Sequence, residues 1–263
     1  MSETELKHRV QAYWDAHPCG TQFTDLVWGS KPFFEAVTRE RYARQPFMNE
    51  AVGFDRYAGK DLLEIGCGLG TDLLEFARKG ARVTGLDLTP AGVALAQSRF
   101  RLEGVPGNFL VGDAERLPFA DNRFDVVYSF GVLHHTPDTR RAFREVRRVL
   151  RPGGEAVIML YHSHSSHLYI GYPLALFSRV AHGQGWLSRT EYFRIYDGDE
   201  NPLGKAYTRD EVRDLFEGFE ILEQRSYDTY RPRLPDLANR ILLGLGKRFG
   251  FYLITRARKP RPT

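Results

Sequence analysis

From Leu62 to Asp72 the chain reads LLEIGCGLGTD, with Gly66, Gly68 and Gly70 closing an apolar run and opening a helical one. Glycines at such a junction let the backbone bend sharply and lie against a ligand, while the next helix presents free N–H groups. Alone, the loop admits several nucleotide-like ligands, and also a purely structural turn. Asp87 ends the next apolar run in GLDL, about twenty residues on, where an acid can accept both ribose hydroxyls of a nucleotide. The same residue could instead cap the following helix. Further along, in VGDAERLPF, Asp113 follows a third apolar run. Its carboxylate can accept from an adenine amino group, with the backbone of Ala114 against the ring edge.

Groups able to move a proton cluster beyond these. His134 and His135 follow the run FDVVYSF and stand where a second substrate should arrive; imidazole titrates in the right range for a base. Both could also serve only as hydrogen-bonding loop residues. In VQAYWDAHPCG, helical spacing brings Tyr13 and Trp14 near one another, as packing residues do. His162, His164 and His167 invite a zinc reading, but H-x-H-x2-H matches neither a zinc finger nor H-E-x-x-H, and no metal is expected.

The elements that must hold these residues alternate between short apolar runs and amphipathic helices from Lys60 to about His162, as βαβ units require. Strands are predicted at Leu62–Ile65, Ala81–Asp87, Asn108–Gly112, Phe124–Ser129 and Glu155–Tyr161. Gly80 stops the first helix, Thr89-Pro90 starts the second, Asp138 caps a third, and Gly153-Gly154 turns the chain into the fifth strand. Thr208 and Glu211 form a capping box for a helix through Phe216. Two closing strands, Phe219–Ser226 and Phe251–Ala257, flank an amphipathic segment from Leu237 to Phe249. The fold class is α/β, a doubly wound, mostly parallel sheet.

The 263 residues suffice for one α/β domain with a cap. Only Cys19 and Cys67 are present, which argues against a disulfide framework and for a reducing, cytoplasmic setting. No apolar run reaches the roughly 18 residues of a membrane span, and MSETELKHRV lacks the apolar stretch of a signal peptide. The net charge of +4 is mild, but from Arg231 onward Asp236 is the only acid among many cations. The segment 233–250, with Leu237, Ile241, Leu242, Leu245 and Phe249 at helical spacing, is a candidate for peripheral membrane contact; packing on the sheet is the alternative. No nucleic-acid recognition module is evident.

In order and spacing, the glycine loop, Asp87, GDAERLPF, FDVVYSFGVLHH and RVLRPGG (Arg147–Gly154 reads RRVLRPGG) resemble the class I S-adenosylmethionine (SAM)-dependent methyltransferases, particularly the group that methylates small molecules. The resemblance covers about a hundred residues, from Lys60 to His162. It implies a seven-stranded sheet whose last strand inserts antiparallel, and SAM as cofactor, converted to S-adenosylhomocysteine. It further implies that Glu64 and the backbone of Gly66, Cys67 and Gly68 hold the methionine end. Asp87 would take the ribose with Leu88 beside the adenine, Asp113 and Ala114 would read the adenine, and the Phe130 backbone would face the methionine amino group. The expected organisation is a helical cap over 1–57, a SAM-binding core over 58–162, an aromatic lid over 163–207, and the rest of the core with a basic tail over 208–263. The acceptor is expected to be a partly apolar small molecule methylated at O, N, S or C, with His135, His134 and Tyr13 as catalytic candidates. A lipid or macromolecular acceptor, a non-catalytic SAM-binding protein and a nicotinamide enzyme on a related fold are the competing readings; GDAERLPF disfavours the last. DNA amino-methylation is disfavoured because SFGV stands where the (Asn/Asp/Ser)-Pro-Pro-aromatic signature would be.

Overall fold

In the computed structural model, which describes residues 1–228 and 235–262, capping residues and glycines cut the chain close to where the sequence predicts. The amino-terminal region forms α1 (Glu3–Ala16), α2 (Lys31–Arg44) and α3 (Met48–Val52). The core follows with β1 (Asp61–Ile65), α4 (Thr71–Arg78), β2 (Arg82–Asp87), α5 (Pro90–Glu103), β3 (Asn108–Val111), β4 (Phe124–Phe130), α6 (Thr139–Val149) and β5 (Leu150–His162). Thr89 and Asp138 cap α5 and α6 through their side chains, accepting from the Gly92 and Arg141 amides. Beyond a π-helical turn at His167–Gly171 come α7 (Tyr172–Ala181), α8 (Arg189–Arg194), β6 (Ala206–Tyr207), α9 (Arg209–Leu215), β7 (Glu220–Tyr227), α10 (Asp236–Phe249) and β8 (Tyr252–Arg258). The Thr208–Glu211 capping box is present at α9.

One sheet runs β3-β2-β1-β4-β5-β8-β7. β1 to β5 pair in parallel, and β8 enters antiparallel between β5 and β7. The doubly wound α/β class and the antiparallel last strand are therefore as expected. Two details differ. β5 begins at Leu150 rather than Glu155: its register jumps from Phe124↔Leu150 to Val126↔Glu155, so Gly153-Gly154 form a bulge within the strand. Arg151 holds that bulge by pairing with Asp61 and Asp125. An eighth, two-residue strand, β6, pairs parallel with Tyr161–His162 and ties the end of the 163–207 insertion back to the sheet.

Both faces of the sheet are covered, which is why its central strands are almost wholly apolar. Phe54, Phe76, Tyr128 and Ile254 belong to one buried cluster and Leu63, Val127, Phe143 and Leu253 to the other. A third cluster, Phe33, Phe34, Val37 and Leu69, packs α2 on the glycine loop. The strand order reverses between β1 and β4, and the crevice outside their carboxyl ends is where such sheets bind ligands. The basic segment from Arg231 begins in 229–234, which lies outside the described residues, as does the Leu242 side chain. No helix among the described residues is long and apolar enough to cross a membrane.

Candidate active site at the sheet reversal

A cavity of about 1170 Å³ opens at the reversal point. A single small-molecule pocket is roughly 300–1,000 Å³, so there is room for more than one compact ligand. Of the residues singled out from the sequence, Tyr13, Glu64, Gly66, Cys67, Gly68, Asp87, Leu88, Asp113, Ala114, Phe130 and His135 all line it. His134 does not. It is fully buried behind the wall, its ring centroid 3.9 Å from that of Tyr161, and burial together with His135 keeps it well below the usual imidazole range.

Gly66 and Gly68 shape the glycine loop in different ways. A Cβ on Gly66 would lie 2.2 Å from Val132, at φ +76°, so only glycine fits. At Gly68, with φ +48°, a Cβ would meet nothing within 4 Å; the space beside it is open cavity. The loop's own amides are engaged. Gly66 N and Cys67 N donate to the Leu86 carbonyl, and Gly68 N donates to Asp87 Oδ2 at 2.8 Å. A ligand therefore meets the loop through other backbone atoms than these three N–H groups.

Glu64 is buried, and its Oε2 has no hydrogen-bond partner. Burial, then the negative charge of Asp72, pushes its carboxyl well above its ordinary range, although the Arg41 guanidinium opposes this. Asp72 holds that arginine: Arg41 reaches both its oxygens, and Tyr42 and Tyr128 donate to it at 3.1 and 2.8 Å. A buried carboxylate oxygen with no donor is a place for a cationic ligand group. Asp87 binds the Thr89 amide and hydroxyl at 2.9 and 2.7 Å as well as Gly68. Burial raises its carboxyl while these hydrogen bonds oppose the rise.

α1 lies across the mouth. Lys7 Nζ bridges Asp113 and Glu115 at 2.7 and 2.5 Å, Gln11 donates to the Leu88 carbonyl at 2.8 Å, and Asp15 accepts from the Ala91 amide at 2.9 Å. Burial disfavours the Lys7 charge, but the two carboxylates outweigh it and raise its pKa. These three side chains stand at i, i+4 and i+8, one helical stripe; that spacing is visible in the sequence, and its partners are not. The neighbouring face turns Tyr13 and Trp14 into the cavity, Trp14 in edge contact with His135 at 5.1 Å.

The insertion supplies what the sequence reading missed. Asp197, ending the 3-10 turn Ile195–Asp197 after α8, accepts the Tyr161 hydroxyl at 2.8 and 2.9 Å on its two oxygens and lies 3.4 Å from His135 Nε2. Its backbone carbonyl accepts from the Tyr13 hydroxyl at 2.6 Å. His135 Nδ1 lies 2.5 Å from the Leu203 carbonyl. That nitrogen must carry the proton, so the neutral ring presents a bare Nε2 lone pair. Among the described residues, His134, His135 and Asp197 form one group whose potential metal-ligand atoms lie within 4.8 Å of one another. His162, His164 and His167 do not form such a group: His162 Nδ1 lies 3.1 Å from the Gly250 carbonyl oxygen and His167 stacks on Phe251.

Residues 63–158 match the methyltransferase domain family. That stretch carries the methyltransferase domain of the class I SAM-dependent methyltransferases. The chain is 48% identical over 98 residues to the phthiotriol/phenolphthiotriol dimycocerosates methyltransferase of Mycobacterium tuberculosis, a stretch covering 36% of each chain. It is 33% identical over 129 residues to a sterol 4-C-methyltransferase of Caenorhabditis elegans, covering 48% of this chain and 39% of that one. The match thus spans little more than a third of these relatives' length. A solved SAM-dependent methyltransferase from Methanosarcina mazei is 25% identical, with TM-score 0.58, over 82% of this chain and 98% of its own. SAM is the cofactor of this family, and the orphaned Glu64 oxygen and the open space at Gly68 suit a group carrying an ammonium beside a nucleoside.

Proposed function

We propose that the chain transfers the methyl group of SAM to a hydroxyl of a partly apolar acceptor. The observation that carries this is one continuous cavity joining the Glu64–Gly68–Asp87–Asp113 wall to a chamber containing His135, Asp197 and Tyr161. In this reading Glu64 Oε2 accepts from the methionine ammonium, and the loop carbonyls near Gly66 face the same group. The Phe130 backbone borders that end. Asp87 takes the ribose, and Leu88, Asp113 and Ala114 border the adenine. α1, within the 1–57 cap, closes over the nucleoside end through Lys7, Gln11 and Asp15, and its Tyr13 and Trp14 face the acceptor end. The 163–207 lid closes the acceptor end.

SAM supplies an activated methyl on a sulfonium, so the protein must orient the acceptor, exclude water and remove one proton. The bare Nε2 of His135 facing a carboxylate is an arrangement of two acceptors, and an acceptor hydroxyl placed there satisfies it by donating. As the oxygen–methyl bond forms and the sulfur–methyl bond breaks, the hydroxyl proton passes to His135 Nε2. Asp197 then faces the imidazolium and stabilises it, with Tyr161 holding the carboxylate in place. Trp14, Phe130, Tyr161, Tyr196 and Tyr252 give the chamber an aromatic lining, which suits an apolar acceptor body. The relatives' names, a sterol and dimycocerosates, point the same way. The test is to incubate the chain with SAM and a panel of hydroxylated sterols, polyketides and lipids. S-adenosylhomocysteine and an O-methylated product are expected. SAM binding with no S-adenosylhomocysteine from any acceptor would leave a binding module.

A further inference from the structure

α10 leaves an apolar stripe uncovered. Among its described side chains the buried positions are Asn239 and Gly246, with Ala238 and Leu243 half-buried; Gly246 leaves no room for a Cβ beside Asp228, and its carbonyl accepts from Ser226. Its apolar stripe, Leu237, Ile241, Leu245 and Phe249 at successive i+4 positions, faces outward, with Leu237 70% exposed. A surface helix ordinarily buries that stripe. α7 behaves alike. It has no buried residue, and Leu174, Phe177 and Val180 are exposed, Phe177 to 75%. The two surfaces meet where the Tyr169 ring lies 6.4 Å from that of Phe249, and Trp186, 73% exposed, stands in the loop after α7.

Charge selects what covers this patch. From Ser163 to Thr190 there is no acid, and from Pro235 to Gly250 only Asp236, against Arg179, Arg189, Arg240, Lys247 and Arg248. A two-fold contact between copies would set this patch against itself, cation against cation. An anionic lipid surface instead neutralises the cations while taking up the apolar stripes, and exposed Trp and Tyr suit the headgroup boundary. The patch also reaches the acceptor chamber: His167 lines the cavity, and Tyr169 and Ile170, two and three residues on, are exposed on the patch.

We propose that α7, the turn before it and α10 form a docking face for an anionic membrane surface, bringing the acceptor chamber to the lipid. The inference goes beyond the methyl-transfer reading and is read without SAM. The full chain is floated with phosphatidylcholine vesicles and with vesicles that also contain phosphatidylglycerol. Binding is expected to the latter, weakening as salt rises, with little to phosphatidylcholine alone. Two variants, Leu174→Ser with Phe177→Ser and Ile241→Ser with Leu245→Ser, replace exposed side chains and should keep the wild-type melting temperature. Each should lower the vesicle partition coefficient about tenfold or more, from the apolar area no longer buried in lipid. Absence of wild-type binding to the anionic vesicles, or variants binding as wild type, would overturn the proposal. So would a wild-type dimer in gel filtration that becomes monomeric in the same variants.

Discussion

Replacing Glu64 by glutamine separates its cost to the empty protein from its use to the ligand. In the structure the Glu64 carboxylate is buried beside Asp72, and Oε2 has no partner. Its folded pKa stands above the ordinary 4.5. A raised carboxyl contributes stability that is complete below the unfolded value and is lost as pH rises through the folded one. Glutamine keeps the shape without the charge, so Glu64→Gln should melt at or above the wild-type temperature at neutral pH and lose that pH dependence. A cationic ligand group has the opposite preference and favours the carboxylate. A hydrogen bond to a charged group is worth about 1.5–3 kcal/mol, so SAM affinity should fall about 10- to 150-fold. Because binding ionises Glu64, wild type should release protons on taking SAM near its raised pKa, and affinity should rise with pH up to that point. Titration calorimetry in two buffers of different ionisation heat reads both effects. A variant that binds SAM as wild type does, or that melts well below it, would refute the assignment.

Asp197→Asn keeps the Tyr161 contact but cannot stabilise a charged His135, and kcat should drop about 100-fold or more with the SAM dissociation constant unchanged; equal losses in SAM affinity would make Asp197 merely structural. Asp87→Asn removes an acceptor from the Gly68 amide and from the ribose, and should cost about tenfold in SAM affinity; an unchanged dissociation constant would remove its ribose role. Lys7→Met keeps the stem and loses the bridge to Asp113 and Glu115. The arm to Asp113 is partly exposed and worth about 0.2–1 kcal/mol, but Glu115 is buried and is left without its cation, so SAM should bind at least about fivefold more weakly, and protease access to α1 measures the same loosening. Chelators should leave activity unchanged if His134, His135 and Asp197 hold no ion; stoichiometric zinc by elemental analysis would replace His135 as general base with a metal site.

The core was legible because its signals are local. The glycines, the caps at Thr89 and Asp138 and the apolar runs fix the strand ends on which Glu64, Asp87 and Asp113 sit, and these residues meet because parallel strands share one carboxyl edge. The acceptor side depends on distant pairing. Asp197 reaches His135 only because β6 returns the insertion to β5, and two residues of strand carry almost no periodic signal. His134 and His135 look equivalent in sequence, yet the short helical turn they share sends one ring into the core and the other to the cavity. Of the two readings of 237–249, packing on the sheet holds for its position: the helix lies on β7 with Asn239 and Gly246 buried, while Leu237, Ile241, Leu245 and Phe249, which hydrophobic spacing alone would turn inward, are exposed.

The most direct measurement is a crystal structure of the chain with S-adenosylhomocysteine. The account predicts the amino group at Glu64 Oε2, the ribose hydroxyls at Asp87, the adenine against Leu88, Asp113 and Ala114, and the sulfur facing the chamber that holds His135 and Asp197. A ligand lying in the opposite sense, or one leaving Glu64 and the open space at Gly68 untouched, would contradict it.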